Sequence, residues 1–186
     1  MPWPDAFACA NDELRKAAEQ AAEPTPGTPT PTMATTAVAV TARRDAGIWT
    51  GEAAWVGDST LWHLDDGRQW RLISGPATDG EDDVYYSGRV RALPSRDGEC
   101  DWCGFRIHGG ALFVMSDGVA NPLQWSHDVA ETLAGWWALP PDPLVFAAQV
   151  GFARRGHMDD RTVVGIWAGD GDADREEEPR AAHAAV

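Results

Sequence analysis

The apolar positions of this chain fall into two separate patterns. Short runs with strand character occupy residues 35–115, and stripes with helical spacing follow them. Thr35 to Thr41 (Thr-Thr-Ala-Val-Ala-Val-Thr) is a strand candidate, and Arg43-Arg44-Asp45-Ala46-Gly47 follows as a turn. Ala53 to Gly57, Leu61 to Leu64 and Trp70 to Ile73 are three more short runs, divided by Asp58-Ser59 and Asp66-Gly67. Asp-Gly between apolar runs is a strong hairpin signal. The pattern therefore predicts an antiparallel meander over 35–73. Phe105 to Ile107, Gly109-Gly110 and Ala111 to Met115 predict a further hairpin, and Arg161 to Ala168 a last strand.

Helical signals flank the strands. Asn11 reads as the cap of a helix over Asp12 to Glu23, whose stripe of Leu14, Ala17, Ala18, Ala21 and Ala22 would bury little. Pro24, Pro26, Pro29 and Pro31 imply a loop over 24–32. Asn121-Pro122-Leu123 predicts a break after the Ala111 strand. Ser126 then caps a helix with Val129, Leu133, Trp136 and Trp137 on one face, ended by Pro140-Pro141. Asp142-Pro143 opens the next helix, with Phe146, Val150 and Ala153 in line. Residues 74–102, with Asp79, Glu81, Asp82 and Asp83, form a long irregular excursion. Residues 156–160 read as a polar turn, and 169–186 as a disordered charged tail. Strands and helices are segregated, so the expected class is α+β with packed layers and antiparallel sheets.

The 186 residues suffice for one domain with a sizeable core, and ten tryptophans supply large anchors. A formal charge of -14 disfavours nucleic acid and anionic membranes, which attract basic patches. No run approaches the ~18 apolar residues of a membrane span, and residues 1–20 have no signal-peptide pattern. Three cysteines do not make a secreted disulfide scaffold. A cytoplasmic location is expected.

Chemistry concentrates at two aspartates. Asp117 follows the apolar run Ala111 to Met115, and Asp159 precedes the last strand. In an antiparallel sheet these strand ends meet at one edge. Two carboxylates there repel unless a cation lies between them, and hard divalent ions such as Mg²⁺ or Mn²⁺ prefer oxygen ligands. Asp-Gly is also a common turn, and Asp58 reads as a turn aspartate bonding nearby backbone N–H groups. Cys100-Asp101-Trp102-Cys103 has zinc spacing without a second ligand pair. Its expected place in the loop before a strand, away from any helix start, does not suit a redox pair.

Four stretches taken together resemble successive motifs of the metal-dependent protein phosphatase family, type 2C. They are Thr35-Thr36-Ala37-Val38, Ala54-Trp55-Val56-Gly57-Asp58-Ser59, Leu112 to Val119 and Asp159 to Val164. The resemblance covers about residues 10–168. It implies two stacked antiparallel β-sheets flanked by helices, and hydrolysis of phosphoserine and phosphothreonine with Mn²⁺ or Mg²⁺. It also implies metal binding by Asp117 and Asp159, with Gly57 and Asp58 shaping the strands nearby. Asp160 stands where the family commonly has Asn. The family's phosphate-holding arginine and its metal-bridging Asp-Gly motif have no counterpart here, so an N-terminally incomplete domain is expected. The implied partner is a phosphorylated protein substrate or a member of a kinase pathway. A catalytically inactive relative that binds a partner or phosphopeptide, and an unrelated β-rich binding domain, are the competing readings.

Overall fold

The computed structural model describes residues 2–21, 33–74, 91–96, 98–152 and 159–167. The expected loop over 24–32, the acidic stretch 79–83, Ala153 and most of the 156–160 turn lie outside the described residues, as do Ala168 and the 169–186 tail. Helix α1 (Trp3–Ala21) comes first. Strands β1 (Ala37–Asp45), β2 (Ile48–Val56), β3 (Thr60–Leu64), β4 (Trp70–Ser74), β5 (Asp101–His108) and β6 (Ala111–Met115) follow. Helices α2 (Asp117–Trp125), α3 (His127–Trp137) and α4 (Pro143–Val150), then β7 (Val163–Ile166), complete the order.

The seven strands form two antiparallel sheets, ordered β1-β2-β5 and β4-β3-β6-β7. This corrects the expected meander. β1 and β2 pair across Ala46-Gly47, and β3 and β4 pair across the Asp66-Gly67 turn, but β2 and β3 lie in different sheets. The expected 105–115 hairpin is corrected in the same way, since β5 pairs with β2 and β6 with β3. Short apolar runs with a tight turn between them suit a hairpin and a sheet-to-sheet corner equally well. Burial on the second face of β3 and β6 decides for the corner. Among the described residues, no helix is long and apolar enough to cross a membrane.

Alternation sorts side chains into three cores. Trp49, Ala53, Leu61, Ile107 and Leu112 meet between the sheets. Trp62, Leu64, Phe113 and Met115 point the other way, onto Val119, Leu123, Leu133 and Trp137 of the helices. Aromatic rings dominate that layer: Trp137 stacks on Phe113 at 5.3 Å, with Trp70, Phe146 and Trp167 edge-on around them. On the far side of the other sheet, Phe7 of α1 covers Ala54, Val56 and Leu93. The layers are thus helix, sheet, sheet, helices.

Two helix boundaries differ from expectation. α1 begins at Trp3, so Asn11 lies in mid-helix instead of capping it. Asn11 is buried because its amide accepts from Ser95 N at 2.7 Å and donates to Ser95 O at 3.2 Å. Arg15 adds a bond to the same carbonyl at 2.8 Å. Pro122 does not break the chain but lies inside α2, fully buried. Burial of its ring in the helical layer offsets the one backbone bond that proline cannot make. The caps of α3 and α4 follow the sequence: Ser126 accepts from Val129 N, and Asp142 from Leu144 N and Val145 N.

Replacing Asn11 by Ala leaves Ser95 N without its acceptor and Ser95 O with Arg15 alone, and is expected to lower stability by about 1–3 kcal/mol. Chemical denaturation followed by tryptophan fluorescence measures this. Trp137→Ala, at the centre of the aromatic layer, is expected to cost about 3–5 kcal/mol, and equal midpoints for the variant and the parent would contradict the packing described.

Candidate metal centre

Register brings three chain segments to one end of the β4-β3-β6-β7 sheet. Thr60 pairs with Met115, and Met115 with Val163. One step beyond lie Ser59, Ser116 and Thr162, and beyond these Asp58, Asp117 and the 159–161 segment. Ser116 fastens the last two segments together. Its N–H donates to Thr162 O at 3.0 Å, and its Oγ lies 3.2 Å from Asp160 O and 3.0 Å from Thr162 N.

Gly118 explains why that fastening is close. A Cβ there would lie 3.1 Å from Asp159 O and closer still to Asp160 O. The Asp-Gly pair read as a turn is therefore a helix start where only glycine admits the neighbouring backbone. Asp117 is the first residue of α2, half-buried, with Oδ1 accepting from Gly118 N at 2.8 Å. An anionic side chain in the first turn is favoured by the helix dipole. Asp159 and Asp160 are exposed.

Asp58 belongs to this group, which the turn reading missed. It sits at the corner where the chain leaves β2 for β3. Gly57 has φ of 102° and is hemmed in by Thr36 and by Arg91 O. Thr36 Oγ1 and Ser59 Oγ, 3.2 Å apart, tie the corner to the start of β1. Burial pushes the Asp58 carboxyl above its ordinary value, and the negative charge of Asp117 adds to that rise, partly offset by a backbone hydrogen bond. Asp58 thus lies near enough to Asp117 to feel its charge. A like-charge neighbour is the physical signal of such a pair, and sequence separation conceals it.

Cys100 and Cys103 do not form a ligand pair. Cys103 lies in β5 instead of the loop before it. It packs between the sheets and approaches Ile73 O at 3.6 Å, whereas Cys100 packs on the α1 side. Burial raises both thiols above their ordinary value.

Among the described residues, no group of three or more His, Cys, Asp or Glu side chains converges as a metal cage. Two neighbouring carboxylates suit a single hydrated Mg²⁺ or Mn²⁺, which keeps several waters and takes one or two carboxylates. They do not fit a pair of ions sharing a bridging carboxylate.

The raised pKa of Asp58 means that the folded state holds this proton more tightly than the unfolded chain. Asp58 accordingly costs stability as pH rises from the ordinary value of 3.8 through its raised value. The cost is relieved below 3.8. In chelator, Asp58→Asn is expected to raise Tm at pH 7, with the gain shrinking as pH falls toward 4. Thermal melts across that range test it, and an unchanged or lowered Tm at pH 7 contradicts the like-charge pair.

The sequence matches the protein phosphatase 2C family over residues 5–144, a span that includes Asp58 and Asp117 and ends before Asp159. Comparison with curated proteins gives no match. Among solved structures the chain resembles PppA of Pseudomonas aeruginosa, described as a key regulatory component of T6SS. The TM-score is 0.57 at 20% identity, over 89% of this chain and 68% of that one. It also matches the phosphatase domain of the cell fate determinant SpoIIE from Bacillus subtilis, with a TM-score of 0.38 at 16% identity, over 70% of this chain and 56% of that one. The first likeness supports the layered sheet fold, and the family match extends over more than half of the chain, so the protein belongs to the protein phosphatase 2C family.

Proposed function

We propose that this chain is a phosphatase domain that hydrolyses phosphoserine and phosphothreonine monoesters of a cytoplasmic protein in a kinase pathway. The observation that carries the reading is the close fastening of the Asp117 end of α2 to the 159–162 segment through Ser116 and Gly118, with the Asp58 corner nearby, in a chain of this family. In this proposal Asp117 and Asp159 hold Mg²⁺ or Mn²⁺. A divalent cation bound there would supply a water of lowered pKa as the nucleophile. Ser116 keeps the α2 start and the 159–162 segment together. Gly118 allows that approach. Asp58 and Asp117 carry net negative charge, which repels a phosphate dianion in the absence of a cation. Activity should therefore depend wholly on added metal.

A second reading has its own support. The described residues present no three-ligand cluster and include no arginine assigned to hold phosphate. On that reading the chain binds a partner or phosphopeptide without hydrolysis. The two are separated by release of phosphate from p-nitrophenyl phosphate at millimolar Mn²⁺. The phosphatase reading expects turnover that stops in chelator and falls at least about 100-fold in Asp117→Asn. No turnover above that of the variant would leave the binding reading in place.

A further inference from the structure

The stretch from Arg91 to Glu99 forms a wall beside the Asp58 corner. Leu93 exchanges two backbone hydrogen bonds of 2.8 Å with Thr35, and Ser95 is clasped by Asn11 and Arg15 of α1. Ser95 Oγ accepts from Gly98 N at 2.9 Å, which folds the stretch back on itself. The wall is therefore fixed both to α1 and to the start of β1. Its near end touches the corner, since a Cβ on Gly57, the neighbour of Asp58, would lie 3.0 Å from Arg91 O.

Between this wall and the end of β2 lies a cavity of about 170 Å³, lined by Val56, Arg91, Ala92, Ser95 and Glu99. Val56 is buried and gives the cavity an apolar side. Two charged residues border it, and they are not equivalent. The Arg91 guanidinium is already matched: it donates to Asp101 Oδ2 at 2.8 Å and to Glu99 O at 3.1 Å. Among the described residues, no hydrogen bond or ion pair engages the Glu99 carboxylate. Arg91 and Asp101 offset each other, so the charge left outstanding at the cavity is one carboxylate. In a chain of formal charge -14, such a cavity disfavours an anionic side chain and attracts a cationic one. An apolar side with a carboxylate at the rim suits a ligand with a hydrocarbon stem and a charged head.

We propose that this cavity receives a lysine or arginine side chain of the polypeptide substrate, close in sequence to the phosphorylated residue. The stem of that side chain lies along Val56 and Ala92, and its head meets the Glu99 carboxylate. Gly57 separates the cavity from Asp58 by a single residue, so a substrate held at the candidate metal centre has its flanking residues within reach of the cavity. Arg91 stays on Asp101, and an acidic flanking residue therefore gains nothing there. The inference rests on the phosphatase reading and adds the substrate class to it: phosphoproteins with a basic residue beside the phosphorylation site.

The probes are fluorescein-labelled polyalanine peptides around a central phosphonate analogue of phosphoserine, which cannot be hydrolysed. A single arginine is moved through the flanking positions, one peptide for each. Fluorescence anisotropy with the full chain at millimolar Mg²⁺ is expected to show binding about five-fold tighter for arginine at one position or two adjacent ones. Glu99→Gln should remove that gain, and Glu99→Lys should transfer it to the peptide with glutamate at the same position. The Glu99 side chain is exposed, so both variants are expected to keep the parent Tm. An arginine gain that is equal at every position, or that survives Glu99→Gln, reports only the overall charge of the chain and overturns the proposal. Equal binding of all peptides, or no binding of any, overturns it as well. Phosphate release from the matching phosphoserine peptides separates this inference from the reading beneath it. Arginine-dependent and Glu99-dependent binding without turnover supports the cavity and removes hydrolysis. Turnover indifferent to the place of arginine supports hydrolysis and removes the cavity.

Discussion

Every residue of β3 is buried, and the rest of the architecture depends on covering that strand twice. A strand in the middle of a sheet satisfies its backbone through its neighbours, here β4 and β6. Its side chains alternate, so Leu61 and Trp62 need covers on opposite sides. The β1-β2-β5 sheet supplies one and the α2–α4 layer the other. The chain can provide both only by leaving one sheet for the other, which it does at residues 57–59 and again at 109–110. Gly57, Gly109 and Gly110, all at positive φ, stand at these corners.

The first corner also carries chemistry. Asp58 lies near enough to Asp117 to feel its charge because the corner after β2 falls at the margin where β6 ends. The carboxylate pair is thus a by-product of the sheet change, and its electrostatic strain is held by the packed strands beneath. Gly118, by carrying no side chain, and Ser116, through its N–H and Oγ, draw the 159–162 segment to the same margin. Only small side chains stand at the seams of this site, while large aromatic ones fill the layer beneath it.

Much of this was legible in the sequence. The strands were readable from their alternation, and the caps at Ser126 and Asp142 from their chemistry. The family was readable from four short motifs in order. The sheet assignment was not, since a turn such as Asp58-Ser59 looks alike whether it closes a hairpin or a corner. Asn11 was misread because a polar residue before a helical stripe resembles a cap, and its true partner, Ser95, is remote in sequence. Pro122 was misread because a local rule was applied where tertiary burial prevails. The pairing of Asp58 with Asp117 needed coordinates, because like charges brought together by topology leave no local pattern.

The clasp between Asn11 and Ser95 has a consequence for how the molecule is made. It joins residues 84 positions apart and encloses the whole β1-β2 ribbon within the loop it closes. On a ribosome α1 emerges well before its acceptor surface at Leu93 and Ser95, which follows β1 to β4. Such long-range closure is slow relative to local pairing. The exposed interval is made tolerable by composition: apart from Trp3, Phe7 and Leu14, the apolar residues α1 carries into that wait are mostly alanines. A helix of weak stickiness is suited to being synthesised well before it is seated.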